Sequence, residues 1–131
     1  MVKIRPIKEK DRYEWLRLRT ALWRGRSGLS AEVARYFAGE LYGVSEVYVV
    51  DRGEGRLGGF LELNIRDYAE GSDAPRVPFV EGWFVDSDLR GQGWGRALME
   101  QAEAWAIEHG LHELASETMV EDSDGQIAYI S

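Results

Sequence analysis

Residues 90–95 read Arg-Gly-Gln-Gly-Trp-Gly, between an apolar run over residues 79–86 and a helical pattern that begins near Trp94. A strand that ends in a glycine-rich turn and opens a helix gathers unpaired backbone N–H groups at one point. The helix dipole adds partial positive charge there. Such a corner suits an anion, and a diphosphate is its usual guest. Gly91, Gly93 and Gly95 let the backbone approach a ligand closely or take a positive φ. A tight turn without a ligand would use the same glycines; the flanking Arg90 and Arg96 favour the ligand.

Two common phosphate motifs are excluded at this corner. A Walker loop ends in Gly-Lys-Ser/Thr, and Gly95-Arg96-Ala97 does not. A dinucleotide-binding fingerprint read from Gly91 needs glycine at 96, where Arg96 stands. It also belongs early in a βαβ repeat, whereas this loop follows segments that read as an antiparallel meander.

The rest of the chain sets the context. Its 131 residues suffice for a single domain, residues 1–131, with a real core. Cysteine is absent, which excludes disulfides, thiolate metal sites and a cysteine nucleophile. His109 and His112, the two histidines, fall at a helix end and just beyond it, so no metal site is expected. A net charge of −7 argues against nucleic acid as a partner. That charge fits a cationic substrate as well as it fits plain solubility. No apolar run is long enough to span a bilayer and no signal pattern opens the chain, so a cytoplasmic protein with no membrane partner is expected.

Periodicity predicts a strand at residues 2–5, then a helix from Asp11, with Glu14 completing a capping box, to Trp23. Ser30 is expected to cap a second helix carrying Val33, Phe37 and Leu41. Residues 46–51 and 57–65 read as a hairpin, with Gly58-Gly59 marking a bulge or close approach. Residues 66–78 read as a polar loop and 79–86 as the next strand. A helix over 94–109 ends at Gly110. A last strand at 113–118 would pair parallel to the strand before the loop.

The order β-α-α-β-β-β-α-β and the pattern Arg-x-x-Gly-x-Gly together resemble the GCN5-related N-acetyltransferases. The resemblance implies an α/β fold with a mixed central sheet. Its N-terminal part would be antiparallel, it would contain a parallel splayed pair, and helices would flank it. Segments 16–23, Arg66-Asp67-Tyr68, Val80-Glu81-Gly82 and 113–118 resemble the aminoglycoside 6′-N-acetyltransferase branch. Relative to the family, which continues with another helix and two more strands, the chain is C-terminally short. Its last strand would then be an exposed edge, unless the chain continues beyond Ser131, a partner covers the edge or the fold is rearranged; the resemblance to the branch, whose members are dimers with shared sites, implies a homodimer.

The resemblance implies acetyl-CoA as co-substrate, no metal, and a small cationic amino sugar as acceptor, with antibiotic resistance as the outcome. The alternatives are another amine, such as a polyamine or a peptide N-terminus, or a CoA-binding module without turnover. CoA would be held by Phe84, Val85, Arg90, Gly91, Gln92, Gly93, Trp94, Gly95, Arg96 and Asp122. Trp23, Tyr68, Glu81 and Glu117 would bind the amino sugar, aromatic faces covering its rings and carboxylates meeting its ammonium groups. From the residues alone, Trp23 is open between core and pocket, and Glu81 between solvent and site. The branch usually has aspartate where Glu117 stands.

The implied chemistry is direct acyl transfer. Glu81 or Glu117 would take the amine proton. Backbone N–H near Phe84 and Val85 would hold the oxyanion, Gly82 permitting a bulge. Tyr129 would protonate the departing thiolate if a helix, capped by Asp124 and anchored by Ile127 and Ile130, follows Glu121. An anchoring role for its ring stands beside that one.

Overall fold

The computed structural model describes residues 2–66, 77–111, 119–121 and 127–129. Four antiparallel strands run in the order β1 (Lys3–Pro6), β2 (Glu46–Gly53), β3 (Arg56–Arg66) and β4 (Val77–Val85). Helices α1 (Arg12–Leu22) and α2 (Leu29–Phe37) lie between β1 and β2, and α3 (Trp94–Glu108) follows β4. Each predicted element up to α3 is present.

Both faces of the sheet are covered, so its central strands are apolar on both sides rather than alternating. Strand alternation sorts the side chains. Tyr48, Val50, Leu61, Leu63, Trp83 and Val85 meet Leu98, Ala102 and Trp105 of α3. Val47, Val49, Phe60 and Phe84 meet Trp15, Leu18 and Val33 from α1 and α2. Each of the larger side chains, fully buried, contributes about 1.5–3 kcal/mol.

Local chemistry departs from the sequence reading at two helix starts. Asp11 does not cap α1. Its carboxylate accepts from Lys8 N–H at 2.8 Å and from both terminal nitrogens of Arg5. Glu14 reaches away to Leu57 N–H at 3.0 Å, tying α1 to β3. The second helix is entered through Gly28 at φ 84°, with Ser30 already inside it. It ends at Phe37, four residues before the predicted Leu41, and Gly39 follows at φ 74°.

The β2–β3 turn is Glu54-Gly55, both at positive φ, the geometry that matches the twist of a two-residue hairpin. The register slips so that Gly58 has no opposite number on β2. A β-carbon at Gly58 would collide with Leu89, and one at Gly59 would lie 2.7 Å from Phe84 O. The glycine pair therefore lets β3 press against β4 and the turn that follows it. Arg17 then pins the end of β4, donating to both Asp86 oxygens and to Leu57 O.

The C-terminal segment departs further. The strand predicted at 113–118, and the parallel pairing expected of it, lie outside the described residues. Beyond α3 the structure describes β5 (Met119–Glu121) and β6 (Ile127–Tyr129), antiparallel to each other. The helix predicted to carry Tyr129 is therefore replaced by a strand. Ile127 and Tyr129 stand two apart and so fit one face of a strand as readily as the spacing of Ile127 and Ile130 fits a helix. β6 lies beside β4.

Candidate active site

One register slip organises the site. Glu62 pairs with Gly82 and Leu63 with Val80, so Glu81 is an extra residue in β4. In a regular pleat Glu81 would point away from the face of Gly82. The bulge re-aims it, and Glu81 lines the same pocket as Glu62. Its carboxylate accepts from Arg66 Nη2 and Nε at 2.7 and 2.9 Å and from Asn64 Nδ2 at 3.2 Å. Arg66 in turn lies 3.5 Å from the Phe79 ring centroid.

The pocket encloses about 420 Å³. Trp23, at the C-terminal end of α1, forms one wall; Leu41, Tyr42, Gly43 and Val44 form another. The indole meets Phe60 edge-on at 6.1 Å and lies over Gly82, where a β-carbon would be 2.7 Å from the ring. Trp23 is thus both packed and pocket-lining, which closes the alternatives left open by its position. Tyr42 stands at the rim, 97% exposed.

Beneath the pocket runs a buried polar network. Glu62 is 1% exposed and Arg19 2%. Arg19 Nε donates to Glu62 Oε2 at 2.7 Å, and Trp15 Nε1 donates to the same oxygen at 3.1 Å. Arg19 Nη1 reaches Glu32 Oε1 at 2.9 Å and Leu29 O at 3.2 Å. The guanidinium is stacked between Trp15 and Trp23, 5.2 and 5.0 Å from their centroids. Burial pushes the Glu62 carboxyl up from its usual range, while the Arg19 charge and hydrogen bonds work against that shift.

Sequence reasoning missed Arg19, Glu32, Glu62 and Arg66. A signal was present for two of them. Arg19 follows Trp15 by four residues, on the apolar face of α1, and Glu62 is a lone acid between Leu61 and Leu63. A charge on a buried face implies a partner.

At the other end of β4, residues 90–93 turn into α3. Gly91 and Gly93 take φ of 78° and 91° with nothing within 4 Å of an added β-carbon, so conformation rather than space calls for glycine. Gly95 differs: its φ is not positive, and a β-carbon there would sit an ordinary 3.6 Å from Trp83. The first helical bond runs from Ala97 N–H to Gly93 O at 2.9 Å. The N–H groups of Trp94, Gly95 and Arg96 therefore precede the helical ladder. No acidic residue occupies that first turn. Arg90 folds back over Phe84, its Nε donating to Val85 O at 3.0 Å. Gln92 donates to Asp88 O at 3.1 Å.

Asp86 N–H donates to Gly58 O at 2.8 Å. Alternation along an antiparallel pair then turns Phe84 N–H toward β3 and Val85 N–H toward the opposite edge of β4. Of the two amides expected at the oxyanion, Val85 is the one on that edge.

The structure brings Trp23 and Glu81 together. Tyr68, Glu117 and Asp122 lie outside the described residues, and Tyr129 is described as backbone in β6. Among the described residues no group of three or more His, Asp or Glu side chains could hold a metal ion. No described helix is long and apolar enough to cross a membrane.

Residues 11–130 match the Acetyltransferase (GNAT) family. An aminoglycoside N(6′)-acetyltransferase type 1 of Klebsiella aerogenes is 35% identical over 98% of this chain and 86% of its own length. Its Stenotrophomonas maltophilia counterpart is 33% identical, over 96% of this chain and 81% of its own. Among solved structures, AAC(6′)-Iy in complex with the bisubstrate analogue CoA-S-monomethyl-acetylneamine superposes with a TM-score of 0.76 at 27% identity. That match covers 94% of this chain and 83% of the other. AAC(6′)-Ih from Acinetobacter baumannii gives 0.74 at 26% identity, over 93% and 82%. The chain belongs to the GNAT acetyltransferase family and has its fold.

Proposed function

We propose that this family member transfers the acetyl group of acetyl-CoA to the 6′-amine of an aminoglycoside and so confers resistance to it. The observation that carries the reading is the β4 bulge, which turns Glu81 into the pocket that Trp23 walls. A carboxylate beside an indole face, in a pocket large enough for a sugar ring, suits a cationic amino sugar. The relatives' named activity, and the CoA analogue bound by AAC(6′)-Iy, support the same assignment.

In this reading the CoA diphosphate rests on the N–H groups at the start of α3, with Gly91, Gln92, Gly93, Trp94, Gly95 and Arg96 around it. The thioester lies along the edge of β4 where Val85 N–H points. Glu81, steadied by Arg66 and Asn64, or Glu117 takes the proton from the substrate ammonium. The amine nitrogen then attacks the thioester carbonyl, Val85 N–H stabilises the oxyanion, and the C–S bond breaks as the second proton leaves the nitrogen and the departing thiolate takes up a proton, releasing CoA as the thiol. Trp23 and Tyr68 cover the sugar rings, and Asp122 completes the CoA side. A homodimer in the cytoplasm is the working form carried by the same reading, tested by light scattering and cell fractionation.

The deciding experiment is acetylation of neamine and kanamycin, followed by CoA thiol release and by NMR location of the new amide. Glu81→Gln keeps shape but removes charge, and kcat/KM is expected to fall at least about tenfold, or 1.4 kcal/mol. No turnover of any aminoglycoside by the wild-type enzyme overturns the proposal.

A further inference from the structure

Among the described residues, every carboxylate lining the acceptor pocket is already bonded to an arginine: Glu62 to Arg19, Glu81 to Arg66, and Glu32 to both Arg19 and Arg26. A polycation entering this pocket must share each of these carboxylates with an arginine or displace that arginine. The three pairings differ in how readily they exchange. Arg19 and Glu62 are fully buried, and parting a buried pair strands a charge. Arg66 is held by Glu81 and by the Phe79 ring. Arg26 is the exposed partner, its side chain 42% accessible, and exposed ion pairs contribute little.

Arg26 also occupies a particular place. Its guanidinium lies over the Trp23 ring, 4.7 Å from the centroid. The same group donates from Nη2 to both Glu32 oxygens, at 2.7 and 2.8 Å. It therefore holds at once an aromatic face and a carboxylate, the two elements that recognise an ammonium group on a sugar ring. Its backbone sits in the short connection between α1 and α2, with Gly25 and Gly28 on either side at positive φ. Arg26 N–H makes one long bond, 3.2 Å, to Trp23 O.

We propose that Arg26 is a displaceable internal cation, and that Glu32 is a further acceptor-binding carboxylate which a substrate ammonium occupies when Arg26 swings out. The inference rests on the reading of this pocket as the amino-sugar site. The network is built for the exchange. Glu32 Oε1 accepts from both Arg19 and Arg26, whereas Oε2 accepts from Arg26. Once Arg26 leaves, Arg19 keeps the Glu32 side chain in place through one oxygen and the other meets the incoming charge. Because one cation replaces another, the net charge against Trp23 is unchanged, so an uncharged sugar gains nothing from the swap. The pocket thereby selects for an ammonium group at this position.

The test is steady-state kinetics with neamine, beside calorimetry of CoA as a control on folding. Arg26→Ala removes the competitor without touching the carboxylate, so KM for neamine is expected to fall about threefold or more with kcat little changed. Arg26→Lys retains the cation and is expected to restore the wild-type KM. Glu32→Gln keeps an oxygen for Arg19, and KM is expected to rise about tenfold. In the double variant, Arg26→Ala no longer lowers KM. An Arg26→Ala enzyme whose KM is unchanged or raised overturns the displacement, and Arg26 is exposed enough that this variant is expected to fold. Unaltered KM in a CoA-binding Glu32→Gln enzyme overturns the role of Glu32. Wild-type enzyme inert toward every aminoglycoside overturns the pocket assignment itself, a result distinguishable from either of these.

Discussion

Gly82 and Trp23 are a fitted pair: a β-carbon built on Gly82 falls 2.7 Å from Trp23 Cη2 and 2.9 Å from Cζ2. An indole is rigid, so a methyl group at 82 moves the whole ring. The displacement is not free, because the ring also meets Phe60 and carries two guanidinium groups. The bulge at Glu81 and the missing side chain at Gly82 thus shape one pocket from adjacent residues.

Gly82→Ala is expected to raise KM for the amino sugar about tenfold, a loss of 1.4 kcal/mol, with CoA affinity unchanged. Steady-state kinetics with calorimetry of CoA checks it. Equal loss toward both substrates would mean that the strand, not the indole, had moved.

Gly95 gives the clean test of the diphosphate corner. Gly91 and Gly93 are poor positions for it, since any side chain there is strained by the backbone alone. Gly95 lies inside α3 with room for a methyl group. Gly95→Ala should therefore leave the free protein as stable or up to about 1 kcal/mol more stable, from helix propensity. CoA affinity should nevertheless drop at least about tenfold, because the added carbon takes space that the diphosphate needs. A stable variant that binds CoA normally removes Gly95 from the site.

Glu62→Gln is expected to destabilise the protein by about 3 kcal/mol, measured by urea unfolding, because it leaves the buried Arg19 with its partly exposed partner Glu32 alone. The effect should exceed that of Glu81→Gln, whose pair with Arg66 is less buried. Equal losses would place the two ion pairs in the same environment, against their geometry.

The elements were legible because both periods are strong here: the α3 stripe of Leu98, Ala102 and Trp105 and the β2–β3 hairpin leave little choice. The glycine corner was legible for the same reason, as composition and position agree. The caps were not. Asp11 and Glu14 have capping spacing, but Arg5 and Leu57, distant in sequence, made the better partners. The pocket was half legible. Trp23 and Glu81 came from resemblance, whereas Arg19–Glu62 joins residues 43 apart and needs the fold to be seen. Glu32 and Arg26 gave no signal, since an Arg and a Glu six apart on a polar stretch read as solvated surface.

Arg5 is expected to contribute to the acid sensitivity of the fold, beside Glu14, whose carboxyl Arg17 and Leu57 N–H hold down. It donates to both Asp11 oxygens, at 2.8 and 2.9 Å, and to Asp51 Oδ2 at 2.8 Å, joining β1 to the start of α1 and to β2. Burial alone would raise the Asp11 carboxyl, but Arg5 and Lys8 N–H outweigh it and hold it below the ordinary 3.8. Arg5 likewise lowers Asp51. A carboxylate lowered on folding adds stability above its unfolded value, and that stability is lost as pH falls through the folded one. Glu62 has the opposite sign: its raised carboxyl adds stability below its unfolded value and loses it as pH rises through the folded one. A comparison of two proteins that both keep Glu62 cancels that contribution. The wild-type urea midpoint is expected to fall below about pH 5 as Asp11 and Asp51 protonate. In Arg5→Met the midpoint should be lower at pH 7, and its acid decline shallower, because Asp11 then loses the partner that most lowers its carboxyl and Asp51 loses Arg5 as well. Parallel curves for the two proteins between pH 7 and pH 2 would remove Arg5 as a source.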